Sequence, residues 1–139
     1  MSILNNPFPH LLPPDVPVWK RFLAKFGSMF YRIDYDVRVG DGRPVSPTEP
    51  KNIKKMAIML SQMRIDAVGF SSAGIAIIEI TRHAGLKAIG QLETYPILYK
   101  KKHRPRAKIY PILVCESINP DILPVLIRKQ IDYVLLPEE

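Results

Sequence analysis

Between Arg64 and Tyr95 the chain reads RIDAVGFSSAGIAIIEITRHAGLKAIGQLETY. Arg64 to Phe70 and Ile75 to Thr81 are short apolar runs separated by Ser71, Ser72, Ala73 and Gly74, a pattern that predicts two strands joined by a tight turn. The second run, apolar on both faces apart from Glu79, suits a central strand covered on two sides. If Ser72 and Ala73 form the turn, paired positions have numbers that sum to 145, and Asp66 falls opposite Glu79. Cross-strand Cβ atoms lie about 4.5–5.5 Å apart, so both carboxylates can reach one divalent cation. Without a cation, two buried like charges repel, and one must take up a proton or find a base. The alternative is an Asp at a strand edge and a Glu paired with a lysine or arginine. A helix follows from about Ala84 to Tyr95, with Pro96 disturbing its end. Lys87, Gln91 and Tyr95 recur every fourth residue and share one stripe of that helix. The stripe either faces the two carboxylates or consists of a surface lysine and polar fillers.

Upstream, Asp15 is placed to cap a helix in which Trp19, Phe22, Leu23 and Phe26 form one apolar face before Gly27. Tyr31, Ile33, Tyr35, Val37 and Val39 then alternate with Arg32, Asp34, Asp36 and Arg38, which predicts a half-buried strand. Asp34 and Asp36 can extend an acidic site, with Arg32 and Arg38 as their expected partners. Ser46 and Glu49 have the spacing of a capping box ahead of a helix marked by Ile53, Met56, Ala57 and Leu60. Downstream, Ile109 to Cys115 reads as a strand, Asp121 as the cap of a helix with Pro124 in its first turn, and Ile131 to Leu136 as a last strand. Mixed hairpin and crossover connections imply an α/β fold, a mixed central sheet flanked by helices. Residues 1–17 carry prolines at 7, 9, 13, 14 and 17 and predict an extended arm ahead of one domain over 18–139. Its apolar residues Ile3, Leu4, Phe8, Leu11 and Leu12 are expected to anchor assembly with other chains.

The 139 residues, 47% hydrophobic and 24% charged, make one domain's worth of globular chain. The longest apolar run, Ile109 to Cys115, is far short of the roughly twenty residues of a membrane-spanning helix, so no membrane partner is expected. The N-terminus lacks the basic start and apolar stretch of a secretory signal. One cysteine, Cys115, allows no internal disulfide and suits an intracellular setting. His10, His83 and His103 have no spacing that brings two onto one face of an element, which argues against a histidine metal site. The net charge is +7, and six bases, Lys100, Lys101, Lys102, Arg104, Arg106 and Lys108, crowd one connection without an acid between Glu93 and Glu116. Such a run holds a nucleic-acid backbone, docks an acidic protein surface or stays solvated. Protein contact is the expectation taken here, with DNA as the alternative.

Asp66 in RIDAVG, Glu79 in IIEI and the helix AGLKAIGQLETY resemble the core of the PD-(D/E)XK nuclease superfamily. There, a strand aspartate and a Glu-x-Lys on the next strand precede a helix often carrying Gln and Tyr. The wider pattern from YDVRVGDG onward is similar to small uncharacterised proteins of tailed bacteriophages. The order of elements matches over residues 31–136, the tight motif over 64–95. The resemblance implies a restriction-endonuclease-like fold, with Asp66 and Glu79 as metal ligands and Mg²⁺ as cofactor if the protein is catalytic, or none otherwise. This chain departs from the motif at Thr81, where the family places the lysine that positions the attacking water. Related nucleases recruit a base from the following helix, which makes Lys87, with Gln91 beside it, the candidate replacement. If no replacement operates, the set Asp66, Glu79, Lys87 and Gln91 is vestigial. The missing lysine, the arm and the basic run favour a non-catalytic structural protein, and the resemblance to phage proteins implies a virion component at the neck or head-to-tail junction. Its partners would be other phage structural proteins and copies of itself, in the virion and, during assembly, the host cytoplasm. The alternatives are a Mg²⁺-dependent DNA endonuclease using Lys87 and a DNA-binding accessory protein without catalysis.

Overall fold

The computed structural model of the protein describes residues 7–138. Its centre is β3 (Gly74–Ala84), buried from Gly74 to Ile80. The pleat sends Ala76, Ile78 and Ile80 to one face and Ile75 and Ile77 to the other. β2 (Met63–Ser71) lies antiparallel to β3, with Ser71 opposite Gly74 and Ala67 opposite Ile78, the register expected from a turn at Ser72 and Ala73. Gly74 has φ 131°, and the Lys108 carbonyl stands where a Cβ would go, so only glycine fits this corner. β1 (Arg32–Val39) pairs antiparallel with β2, while β4 (Ile109–Ile118) and β5 (Asp132–Leu135) continue the other side in parallel. The result is a mixed five-stranded sheet in the order β1-β2-β3-β4-β5.

Helices cover both faces, as the two-sided burial of β3 requires. α1 (Val16–Phe26) lays Trp19 and Phe22, stacked at 5.0 Å, against Ala67, Ile78 and Val114. Fully burying side chains of this size stabilises by about 1.5–3 kcal/mol each. On the opposite face, α3 (Leu86–His103) packs Ala88, Ile89 and Leu92 against Leu113, Cys115 and Leu126 of α4 (Leu123–Arg128). Farther along, Tyr95 and Tyr99 of α3 cover Ile65, Val68 and Ile77. Burial pushes the Cys115 thiol up to about 11, so this cysteine is a core residue and no nucleophile.

Several local readings need correction. β1 does not keep one apolar face: Ile33 and Tyr35 join the α1 cluster, but Val37 and Val39 join the α3 cluster. The switch falls at Asp36, whose φ of 53° breaks the two-residue alternation. Tyr31 lies outside the strand and is 79% exposed. Ser46 caps nothing. α2 (Lys51–Ser61) begins after Pro50 with no side-chain cap, and the Ser46 hydroxyl bonds Thr48 instead. α2 has no buried residue, and Leu60 is 67% exposed. α3 runs through Pro96 to His103, so Lys100, Lys101 and Lys102 are helical. An interior proline costs a helix about 3 kcal/mol; burial of Leu92, Tyr95 and Tyr99 on either side offsets it. Asn119, not Asp121, caps the turn before α4, its side chain accepting from the Asp121 N–H at 3.0 Å. Asp15 makes no capping bond and accepts from the Arg82 N–H at 2.9 Å.

The described part of the proline-rich segment packs on its own domain. Leu11 is 5% exposed within the α1 cluster, Phe8 packs against that cluster, and Pro13–Asp15 form a single 3₁₀ turn leading into α1. Leu12 alone of the expected assembly anchors among the described residues points outward. Ile3 and Leu4 lie outside the described residues.

Candidate active site

The β2–β3 ladder ends at the Ala67–Ile78 pair, although β2 stays paired with β1 as far as Met63. Beyond that point β2 and β3 separate, and the Asp66 carboxylate takes over the bonding: its Oδ2 accepts from the Ile80 N–H at 2.9 Å. Glu79 follows Ile75 and Ile77 on the face of β3 that α3 covers. Helix and strand then enclose a cavity of about 280 Å³ that Asp66, Glu79, Thr81, Lys87 and Gln91 all line. The stripe of α3 carrying Lys87 and Gln91 thus faces the two carboxylates.

Gln91 bridges the helix to the strand. In the amide orientation that satisfies its neighbours, its nitrogen donates to Glu79 Oε1 at 3.2 Å and to the Lys87 carbonyl at 3.3 Å, and its oxygen accepts from the Tyr95 hydroxyl at 3.3 Å. Glu79 is only 7% exposed, and its Oε2 has no hydrogen-bond partner among the described residues. Burial first, then the adjacent Asp66 carboxylate, push the Glu79 carboxyl up to about 9, with Lys87 opposing. Burial also raises Asp66, against the pull of the Ile80 N–H and of Glu79. Two ionised carboxylates leave Oε2 without a donor, so the pair needs either a shared proton or a cation.

Thr81 sits on this cavity where the nuclease motif that the sequence resembles has a lysine, and Lys87 lies exposed at its rim. Arg82 turns away, as strand alternation requires, to Glu116 at 2.7 Å. Asp34 and Asp36 do not extend the site. Arg32 holds Asp34 through two bonds of 2.9 and 3.0 Å, and Arg64, not Arg38, takes Asp36. Arg38 instead donates to the Met59 carbonyl at 2.6 Å, tying α2 to β1.

Two lining groups escape a reading of local sequence. His10 reaches the cavity from the proline-rich segment, its ring centroid 5.0 Å from that of Tyr35 and its Nε2 buried without a partner. His83 also lines the cavity and hydrogen-bonds Ser117 through Nδ1. Among the described residues, no group of three or more His, Cys, Asp and Glu is arranged to hold a metal ion. The six bases are elsewhere: thirteen residues of helix separate Lys87 from Lys100, about 20 Å.

No family model matches the sequence, and no curated protein matches it either. Solved structures do. The fold is similar to EndoMS in its complex with dsDNA, with TM-score 0.53 and 14% identity over 93% of this chain and 47% of the EndoMS chain. A repair endonuclease from Pyrococcus abyssi aligns with TM-score 0.46 and 17% identity over 76% of this chain and 40% of its own. The chain therefore spans about half the length of its first structural neighbour. The fold is nuclease-like, a mixed sheet flanked by helices, as the Asp66–Glu79 motif implies. The bacteriophage side of the resemblance, with its neck or junction role and phage partners, draws no support from the fold or from these neighbours.

Proposed function

We propose that the chain is a divalent-metal-dependent DNA endonuclease in which Lys87 of α3 replaces the lysine missing at Thr81. The observation that carries this reading is the single cavity shared by Asp66, Glu79, Lys87 and Gln91, with a buried carboxylate oxygen, Glu79 Oε2, that no donor among the described residues satisfies. The donor set fits a hard cation such as Mg²⁺, which binds one or two carboxylates and keeps several waters or substrate phosphates. Asp66 and Glu79 would hold it, and when bound it supplies Lewis acidity toward a phosphate oxygen and a more acidic water.

The remaining work falls to this chain's own groups. The Ile80 N–H and the Gln91 amide each engage one carboxylate oxygen and fix the orientation of Asp66 and Glu79. Lys87 brings a positive charge from the rim toward developing negative charge on the phosphate. Thr81 can hydrogen-bond a phosphate oxygen but adds no charge. Net charge +7 suits a polyanionic substrate, and the neighbour solved with dsDNA makes duplex DNA the first substrate to try.

The test is cleavage of linear and supercoiled DNA with Mg²⁺ or Mn²⁺. Activity should vanish in Asp66→Asn and Glu79→Gln and fall about 10²–10⁴-fold in folded Lys87→Ala. A folded protein that leaves both DNAs intact with either metal sinks the proposal. Thr81 favours a second reading, a DNA-binding protein on the same fold without catalysis, which predicts binding with no cleavage under any of these conditions.

A further inference from the structure

The end of α3 remote from the cavity has a composition that stability does not explain. A helix C-terminus favours one or two cations, worth about 0.3–1 kcal/mol each, but Lys100, Lys101, Lys102, Arg104, Arg106 and Lys108 gather there and in the connection to β4. None of the six makes a salt bridge among the described residues. Arg104 occupies the position after the helix with φ 45° and ψ 49°, a left-handed conformation that favours glycine. A non-glycine residue held there costs on the order of 1 kcal/mol, so the chain keeps an arginine where the backbone favours glycine.

The surroundings give these charges a shape. Lys100, Arg106 and Lys108 line a cleft of about 420 Å³ together with Pro96 and Pro105, two rings that stiffen its walls. Lys102 is anchored, its Nζ donating to the Arg38 carbonyl at 2.8 Å. His103 stacks on Tyr99 at 4.3 Å, which ties the last helical turn to the core. The bases are thus displayed on an ordered helix end and a braced connection.

We infer that this end of α3 is a second contact surface for duplex DNA, gripping backbone phosphates about 20 Å from the Asp66–Glu79 cavity. The choice of ligand rests on the endonuclease reading above, and the surface deepens that reading. At 3.4 Å per base pair the separation corresponds to about six base pairs, so one duplex can engage both ends of α3. The grip is independent of base sequence, since lysines and arginines on phosphates position a duplex without reading it.

The test measures equilibrium binding of the full chain to a 20-base-pair duplex and to one of its strands, in EDTA, at several salt concentrations. For the parent, log affinity should fall linearly with log salt. Replacing Lys101, Lys102, Arg104 and Arg106 with serine should weaken duplex binding at least tenfold at 0.1 M salt and reduce the slope by about 3–4. Arg104→Gly alone suits the left-handed backbone, so it should keep or raise the thermal midpoint while lowering the slope by about 1. Unchanged duplex affinity and slope in the quadruple variant overturn the inference, and leave an acidic protein surface as the occupant. A loss confined to the single strand overturns the duplex assignment. Because cleavage is not measured, duplex binding that depends on these bases, in a protein that never cuts, refutes the endonuclease proposal alone.

Discussion

The two ends of α3 both carry lysines, and the folded chain treats them in opposite ways. At the Leu86 end, Lys87 stands over two carboxylates enclosed by β2, β3 and the helix. At the His103 end, the bases face solvent with no carboxylate partner. Charges 4 Å apart interact by about 1 kcal/mol in water and about 4 kcal/mol at the effective dielectric near a protein surface. The acids at the first end therefore repel each other, and that repulsion adds to burial, the larger cause, in holding the Glu79 carboxyl up. Crowding costs the bases at the second end little, because water screens them. Under the proposed function, the charge enclosed by the fold would serve chemistry and the charge left in water would serve recognition of DNA.

The sharpest way to break the comparison is to move the positive charge at the first end. Lys87→Ala should reduce cleavage about 10²–10⁴-fold while lowering the salt slope of duplex binding in EDTA by no more than about 0.9, the share of one phosphate contact. Adding Thr81→Lys to that variant should restore part of the rate, because position 81 lines the same cavity and gains the strand lysine of the motif that the sequence resembles. Rates measured on one linear duplex with Mg²⁺ decide the matter. No recovery in a folded double variant would show that a charge on β3 cannot replace one on α3.

A second effect is on stability, and its sign follows from the carboxyl pair. Glu79 is held at about 9, above its ordinary 4.5, so the folded protein keeps a proton that the unfolded chain gives up. The stabilisation is full below about pH 4.5 and is lost as pH rises toward 9. In EDTA, stability should fall over that window by at most about 1.4 kcal/mol per pH unit. Glu79→Gln removes the titration, so its thermal midpoint should exceed the parent's at pH 8, with the gain fading by pH 5. Midpoints measured from pH 5 to 9 test this, and a parallel dependence in the two proteins would mean that other groups set it. Excess Mg²⁺ should raise the parent's midpoint at pH 8 and not that of Glu79→Gln.

Much of this architecture is legible in the sequence because one strand pair is locally determined. The Ser72–Ala73 turn and the apolar run of β3 fix the register as far as Ala67 and Ile78; beyond it the strands separate, and Asp66 meets β3 through its side chain, which accepts from the Ile80 N–H. The four-residue spacing of Lys87, Gln91 and Tyr95 gives the stripe for the same reason, since helical geometry needs no tertiary information. What escapes depends on contacts distant in sequence or on a single backbone angle. Asp36 at φ 53° divides β1 between two faces, and no pattern of apolar residues announces it. Pro96 reads as a helix end until the burial of Tyr95 and Tyr99 is known. His10 and Asp15 reach the cavity because the proline-rich segment docks on α1 and β3, where an arm anchored on other chains is expected from the sequence. Leu11→Ala should therefore destabilise the isolated domain by about 2–3 kcal/mol in denaturant unfolding. A change within error would return this segment to an assembly role.

The smallest effect separates two neighbouring lysines at the second end. Lys101 and Lys102 are both exposed, but only Lys102 is tied to the scaffold, through its bond to the Arg38 carbonyl. An exposed hydrogen bond of this kind contributes about 0.5 kcal/mol, at the low end of the usual range. Lys102→Ala should accordingly lower the thermal midpoint by about 2 °C, and Lys101→Ala should leave it unchanged. If both lysines meet phosphates, each substitution should also reduce the salt slope of duplex binding by about 0.9. Equal slopes with unequal midpoints would mean that anchoring Lys102 shapes the helix end and adds nothing to its charge count. A larger slope change for Lys102 would mean that the bond to β1 aims that ammonium at the backbone, which makes the scaffold part of the recognition surface.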